Sequence, residues 1–197
     1  AERFIRMRMN QRYRDLMALV EFGNEAYVVT PFTNDYDNIL LSVSLIGDPA
    51  EYSLFPDQGT IIAAAIDQGI GLFKAFNFLD ATGNIMVLFS DGEDTRVQVG
   101  DKTLDEILQN SVDNKIPVYM VRTNYDRGKG MVIPDEIWIP AIEKTGGRFY
   151  AANSEDALLA AIADIDKVAA GTIATKQYTS QRPRFACRSP HRCLLTR

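Results

Sequence analysis

The sequence predicts an α/β protein, a doubly wound and mostly parallel sheet with helices on both faces. Two observations carry this. The first is Ile85-Met-Val-Leu-Phe89, an apolar run with no polar break that stops at Ser90-Asp91-Gly92. A continuous run of that length reads as a strand buried on both faces, as in a parallel sheet covered by helices. The second is alternation. After an opening hairpin the order reads helix, helix, strand, helix, strand, helix, strand, helix, the pattern of crossover connections between parallel strands. The acidic turn at Asp91 lies at the strand's carboxyl end, where open α/β sheets place their ligand sites.

Each element has its own signal. Residues 1–12 read as the last turns of an amphipathic helix with no start signal, so the sequence is expected to lack residues that precede it. Leu16 to Phe22 and Ala26 to Phe32 are two strands around Gly23-Asn24, a hairpin. Asn34 or Asp35 caps a helix carrying Ile39, Leu40 and Val43 on one face. Residues 47–58 form a loop holding Tyr52 and Phe55. Gly59-Thr60 opens a helix to about Leu79, with Ile62, Ile66, Phe73 and Phe76 on one side at helical spacing. Its Ala63-Ala-Ala65 run lets it lie close to a sheet. Thr103 and Glu106 make a capping box for a helix bearing Leu104, Ile107, Leu108 and Val112. Ile116 to Arg122 is another strand, followed by a polar, glycine-bearing loop at 123–133. A short helix, started or kinked by Pro140, ends at Gly146-Gly147. Arg148 to Ala151 is a last strand. Ser154 caps a final helix with Glu155 and Asp156 in its first turn and Leu158, Leu159, Ile162 and Ile165 as its buried stripe.

The bulk numbers narrow the classes. At 197 residues, 46% apolar and 24% charged, one domain with a sizeable core is the default, here residues 1–170. No window holds the roughly 18 apolar residues of a membrane span. The net charge of -5 hides an asymmetry: five of the 21 basic residues fall in 180–197 with no acid, leaving 16 basic against 26 acidic residues. An acidic body is a poor nucleic-acid binder and a better host for cations. Residues 171–197 read as a basic, disordered tail. It carries both cysteines, Cys187 and Cys193, and the single histidine, His191, whose spacing matches no usual zinc site. With no cysteine in the body, the fold does not rest on disulfides.

The residues best placed for chemistry are Thr60 and Asp91. A hydroxyl and a carboxylate are hard oxygen donors suited to Mg2+ with retained waters. Each also has a plainer reading: Thr60 as a helix cap, and Asp91-Gly92 with Glu93 and Asp94 as a solvated acidic turn. Nucleophilic catalysis finds little support. Ser90 lacks a Gly-x-Ser-x-Gly turn, and the lone histidine is in the tail. No Gly-x-x-x-x-Gly-Lys loop is present.

Six fragments in order resemble the von Willebrand factor type A family. They are Leu16-Met-Ala-Leu-Val-Glu-Phe-Gly23, Thr30-Pro-Phe-Thr-Asn-Asp35, Asp57-Gln-Gly-Thr60, Val87-Leu-Phe-Ser-Asp-Gly-Glu93, Ile116-Pro-Val-Tyr119 and Thr145-Gly-Gly-Arg-Phe-Tyr150. The match covers about residues 14–167 and is closest in flavour to bacterial, Bat-type membrane-anchored members. The resemblance implies a Rossmann-like, six-stranded sheet with a metal-ion-dependent adhesion site on its upper rim. Thr60 and Asp91 match its threonine and its later aspartate as metal ligands, with Gly59, Ser90 and Gly92 as supporting residues. The Asp-x-Ser-x-Ser segment of the family's first strand is absent. That strand is central in the family, so the chain is read as N-terminally truncated, with its sheet cut between the hairpin and the strand ending at Ser90.

The resemblance implies a binding module rather than an enzyme. It would hold Mg2+ (or Mn2+ or Ca2+), completed by a protein partner's Asp or Glu, with Tyr52, Phe55 and Glu93 flanking the contact. Two alternatives stand beside it: an interaction domain whose ion site is degenerate, and a Mg2+-dependent hydrolase using Asp91, Glu93 and Asp94.

Overall fold

The computed structural model describes residues 1–10, 15–46, 59–79, 81, 83–90, 98–123 and 135–171. In chain order these form α1 (Glu2–Met9), β1 (Met17–Phe22), β2 (Ala26–Thr33), α2 (Tyr36–Leu45), α3 (Ile62–Ala75), β3 (Met86–Ser90), β4 (Gln98–Val99) and β5 (Lys102–Thr103). They continue with α4 (Leu104–Asp113), β6 (Val118–Thr123), α5 (Asp135–Glu143), β7 (Arg148–Ala152) and α6 (Glu155–Gly171).

The fold is the expected doubly wound α/β class, built on a parallel sheet in the order β3-β6-β7. Met86 stands beside Val118 and Ser90 beside Arg122, and Tyr119 to Thr123 run beside Arg148 to Ala152. The crossovers β3–α4–β6 and β6–α5–β7 step the same way, so one hand of connection puts both helices on one face. There Ile107, Leu108, Trp138 and Ile142 join Val118, Met120, Leu88 and the α3 residues Ile62 to Ile66 in the main core. Phe4 of α1 and Ala161, Ile162 and Ile165 of α6 cover the other face, against Tyr119 and Val121.

Local chemistry accounts for the helix ends. The Asp35 side chain accepts from the Asn38 N–H at 3.2 Å and caps α2. Thr103 and Glu106 form the anticipated capping box on α4. Ser154 caps α6 through the Ala157 N–H at 3.2 Å. Pro140 lies inside α5 rather than at its start.

The hairpin β1-β2 is antiparallel, and among the described residues no ladder joins it to the parallel sheet. This is the cut expected from the sequence. The two pieces are held together by helices. Phe22, Ala26 and Phe32 of the hairpin pack on the α3 core, and Met17 packs both on the Tyr119–Val121 face and beside Tyr36 and Ile39. Phe32 also meets Phe73, Phe76 and Phe78 with ring centroids 5.1, 5.5 and 5.0 Å away.

Burial follows the cut and corrects one expectation. β6, with a strand on each side, is buried from Val118 through Arg122. Among the described residues β3 has one strand neighbour and buries only Leu88, and β1 buries no residue fully. The apolar run ending at Ser90 is thus half-buried rather than covered on both faces. Helix α3 is also shorter than its periodicity suggested. It starts at Ile62 and stops at Ala75, and Phe76 is 40% exposed although its ring edge touches Phe32. The β4-β5 hairpin, turning at Gly100, carried no clear signal in the sequence.

Candidate functional site

Among the described residues, four chain segments meet at the carboxyl rim beside β3, and β7 ends on the same rim at Ala152. β3 ends there at Ser90 and β6 at Arg122 and Thr123, and the Thr123 hydroxyl donates to the Ser90 carbonyl at 3.3 Å. α3 brings a third segment. A Cβ on Gly69 would meet the Met86 side chain at 2.5 Å, which levels the middle of α3 with the start of β3. The chain passes from α3 to β3 through a short connection, so the helix runs antiparallel to the strand. From Gly69 back to Ile62 is about 10 Å at 1.5 Å per residue, and from Met86 forward to Phe89 is about 10 Å at 3.3 Å per residue. The opening of α3 and the carboxyl end of β3 therefore lie on one rim.

The hairpin turn supplies the fourth segment. The Gly23 carbonyl accepts from the Ile61 N–H at 2.8 Å. Gly59 lies against the Asn24 side-chain amide so closely that an added Cβ would sit 1.9 Å from its oxygen. No larger residue fits at 59 while Asn24 keeps its place, a physical reason for glycine immediately before Thr60.

The predicted residues fall as follows. Gly59, Thr60 and Ser90 are on this rim, with Thr60 and Ser90 both half-buried and both engaged by neighbours. The N-cap of α3 is Ile61, which offers no side-chain cap, so Thr60 does not hold the capping position that its plainer reading gave it. Asp91, Gly92, Glu93, Asp94, Tyr52 and Phe55 lie outside the described residues, as do Cys187, His191 and Cys193. Among the described residues no group of three or more His, Cys, Asp or Glu is placed to hold a metal ion. The described rim carries the hydroxyls of Thr60, Ser90 and Thr123. Hydroxyl oxygens are hard donors of the kind Mg2+ accepts, but alone they are not a full ligand set.

One rim residue was missed as a functional candidate. Arg122 is 6% exposed, and its Nη2 donates to Asp135 Oδ2, in the first turn of α5, at 2.7 Å. The available signal was a lone cation closing the apolar strand that begins at Ile116. A second polar cluster lies on β7 and α6: the Tyr150 hydroxyl donates to Asp164 at 2.6 Å, and Arg148 reaches the same carboxylate at 2.8 Å. Burial and the Asp164 bond push the Tyr150 hydroxyl well above its ordinary range, and the Tyr150 bond holds Asp164 below 3.8. This bond ties strand β7 to helix α6.

The described part of the chain defines a doubly wound α/β protein with hydroxyl groups and a buried arginine on its sheet's carboxyl rim. No protein-family model matches the sequence, and no curated protein does either. Solved structures share the fold, two of them with a TM-score of 0.59. One is the conserved hypothetical protein BatB from Bacteroides thetaiotaomicron, 20% identical over 86% of each chain with a TM-score of 0.59. The other is an aerotolerance-related membrane protein from Bacteroides fragilis, 19% identical over 85% of each chain, also with a TM-score of 0.59. Among the described residues no helix is long and apolar enough to cross a membrane.

Proposed function

We propose that this chain is the ion-dependent protein-binding module of a longer, membrane-anchored protein of von Willebrand factor A type. The observation that carries the reading is the shared rim: the opening of α3 just after Thr60 is level with the end of β3 at Ser90, and Asp91 is the next residue in sequence. Thr60 and Asp91 would hold a Mg2+ or Mn2+ ion, with Gly59, Ser90 and Gly92 supporting them. The bound cation would supply a bridge between this acidic body and a partner's Asp or Glu, two surfaces that otherwise repel. Tyr52, Phe55 and Glu93 would flank that contact.

The likeness to the aerotolerance-related membrane protein supports the Bat-type affiliation and the anchored parent. A second reading, an interaction domain with a degenerate ion site, is favoured by one observation: the sequence carries no Asp-x-Ser-x-Ser segment. Mn2+ titration followed by paramagnetic broadening separates the two. Saturable uptake by the wild type, lost in Asp91→Ala and weakened in Thr60→Ala, is expected from an ion site. Equal uptake by the wild type and Asp91→Ala, or no uptake by either, sinks the ion-dependent reading and leaves the degenerate one.

A further inference from the structure

Arg122 makes an incomplete pairing. A guanidinium offers Nε–H and Nη2–H as one flat edge, spaced to take both oxygens of a carboxylate. Asp135 accepts from Nη2 alone, and Nε is buried with no hydrogen-bond partner. A buried N–H left unmet is costly, more so on a charged group. The Asp135 side chain is 33% exposed while that of Arg122 is 7% exposed, so the pair opens to solvent on the aspartate side. It stands beside Ser90 across the β3-β6 ladder, at the carboxyl ends of both strands.

We propose that Arg122 is a carboxylate-recognition group on this rim, and that Asp135 is its resident competitor. An incoming carboxylate, from an acidic side chain or a chain terminus of a protein partner, displaces Asp135. It seats on Nε and Nη2 together, making two bonds where Asp135 makes one. Asp135 then turns to solvent, where its charge is hydrated. The exchange is favourable because it satisfies the Nε–H that the internal pair leaves unmet. It needs no metal ion and uses neither Thr60 nor Asp91, so it goes beyond the ion-dependent reading and stands or falls apart from it.

Acetate is the probe, titrated into the full chain with a chelator present throughout. The Arg122 Nε–H resonance reports on the site by proton–nitrogen NMR. The indole N–H of Trp138, the chain's single tryptophan and fully buried, reports that the fold is intact. A saturable shift of Arg122 Nε–H with acetate, absent with chloride at matched ionic strength, is expected. Asp135→Asn removes the competing charge and should lower the half-saturating acetate concentration about two- to five-fold, the worth of one partly exposed ion pair. Arg122→Lys keeps the charge but not the flat edge, and the acetate-specific shifts of the neighbouring Ser90 and Thr123 backbone amides, seen in the wild type, should be lost. No acetate-specific shift in either the wild type or Asp135→Asn overturns the proposal. So does an Asp135→Asn protein that keeps its indole resonance yet binds acetate no tighter than the wild type.

Discussion

Thr145→Val tests how the amino end of the parallel sheet is held. Thr145 is 6% exposed, and its Oγ1 accepts from the Val118 N–H at 2.9 Å while donating to the Ile142 carbonyl at 2.6 Å. The Gly147 N–H makes a longer third contact at 3.3 Å. Valine has nearly the same shape, so packing is conserved and hydrogen bonding is not. The Ile142 carbonyl keeps the Thr145 N–H at 3.0 Å, so the loss falls on the N–H of Val118, a residue with no exposure. Stripping the partner from a buried N–H costs about 1–3 kcal/mol. The extra buried methyl returns at most about 0.8 kcal/mol. The net loss should be about 1–2 kcal/mol, a fall in Tm of roughly 2–8 °C for a chain of this size. Urea unfolding followed by Trp138 fluorescence measures it. Thr145→Ser keeps the oxygen and loses one methyl, so it should cost less than Thr145→Val. A valine variant as stable as the wild type, or a serine variant less stable than the valine one, would refute the reasoning.

Two further outcomes follow from named contacts. Arg8 is 1% exposed and joins α1 to α6, with Asp15 at 2.6 Å and Asp166 at 2.9 Å. Arg8→Ala leaves two partly buried carboxylates facing each other and should destabilise the chain by about 2–4 kcal/mol, read by denaturant unfolding, because both acids keep some solvent. The Tyr150–Asp164 bond predicts a pH dependence. Asp164 is held below its ordinary value, so its contribution is present above pH 3.8 and lost as pH falls through the lower folded value. The stability difference between the wild type and Tyr150→Phe should therefore hold down to about pH 5 and shrink as pH falls below 3.8 toward about pH 2. A difference unchanged across that window would show that the carboxylate is not what Tyr150 stabilises.

The legible part of this fold was local. Asp35, Thr103 with Glu106, and Ser154 each cap the helix that their spacing announced, because a cap is a contact within one turn of chain. The antiparallel hairpin around Gly23 and the parallel register of the later strands followed from turn chemistry and alternation. Of the candidate site, Gly59, Thr60 and Ser90 fall on one rim because α3 runs antiparallel to β3, with Gly69 level with Met86, while Asp91 lies outside the described residues. Arg122 was passed over because nothing in its own segment shows that Asp135, beyond the intervening loop, returns to meet it.

Taken alone, the sequence determined the α/β class, the alternation of the main strands and helices, the caps at Asp35, Thr103 and Ser154, and the acidic balance of the body. These depend on neighbours within a few residues or on composition. Only the tertiary structure decided how much of each apolar run is covered. β6 and β3 read alike as apolar strands, yet one is buried throughout and the other half open, because the number of strands beside a strand is a property of the whole sheet. The same holds for Arg122: its burial, its single bond to Asp135 and its unmet Nε–H exist only once β6 and α5 pack together.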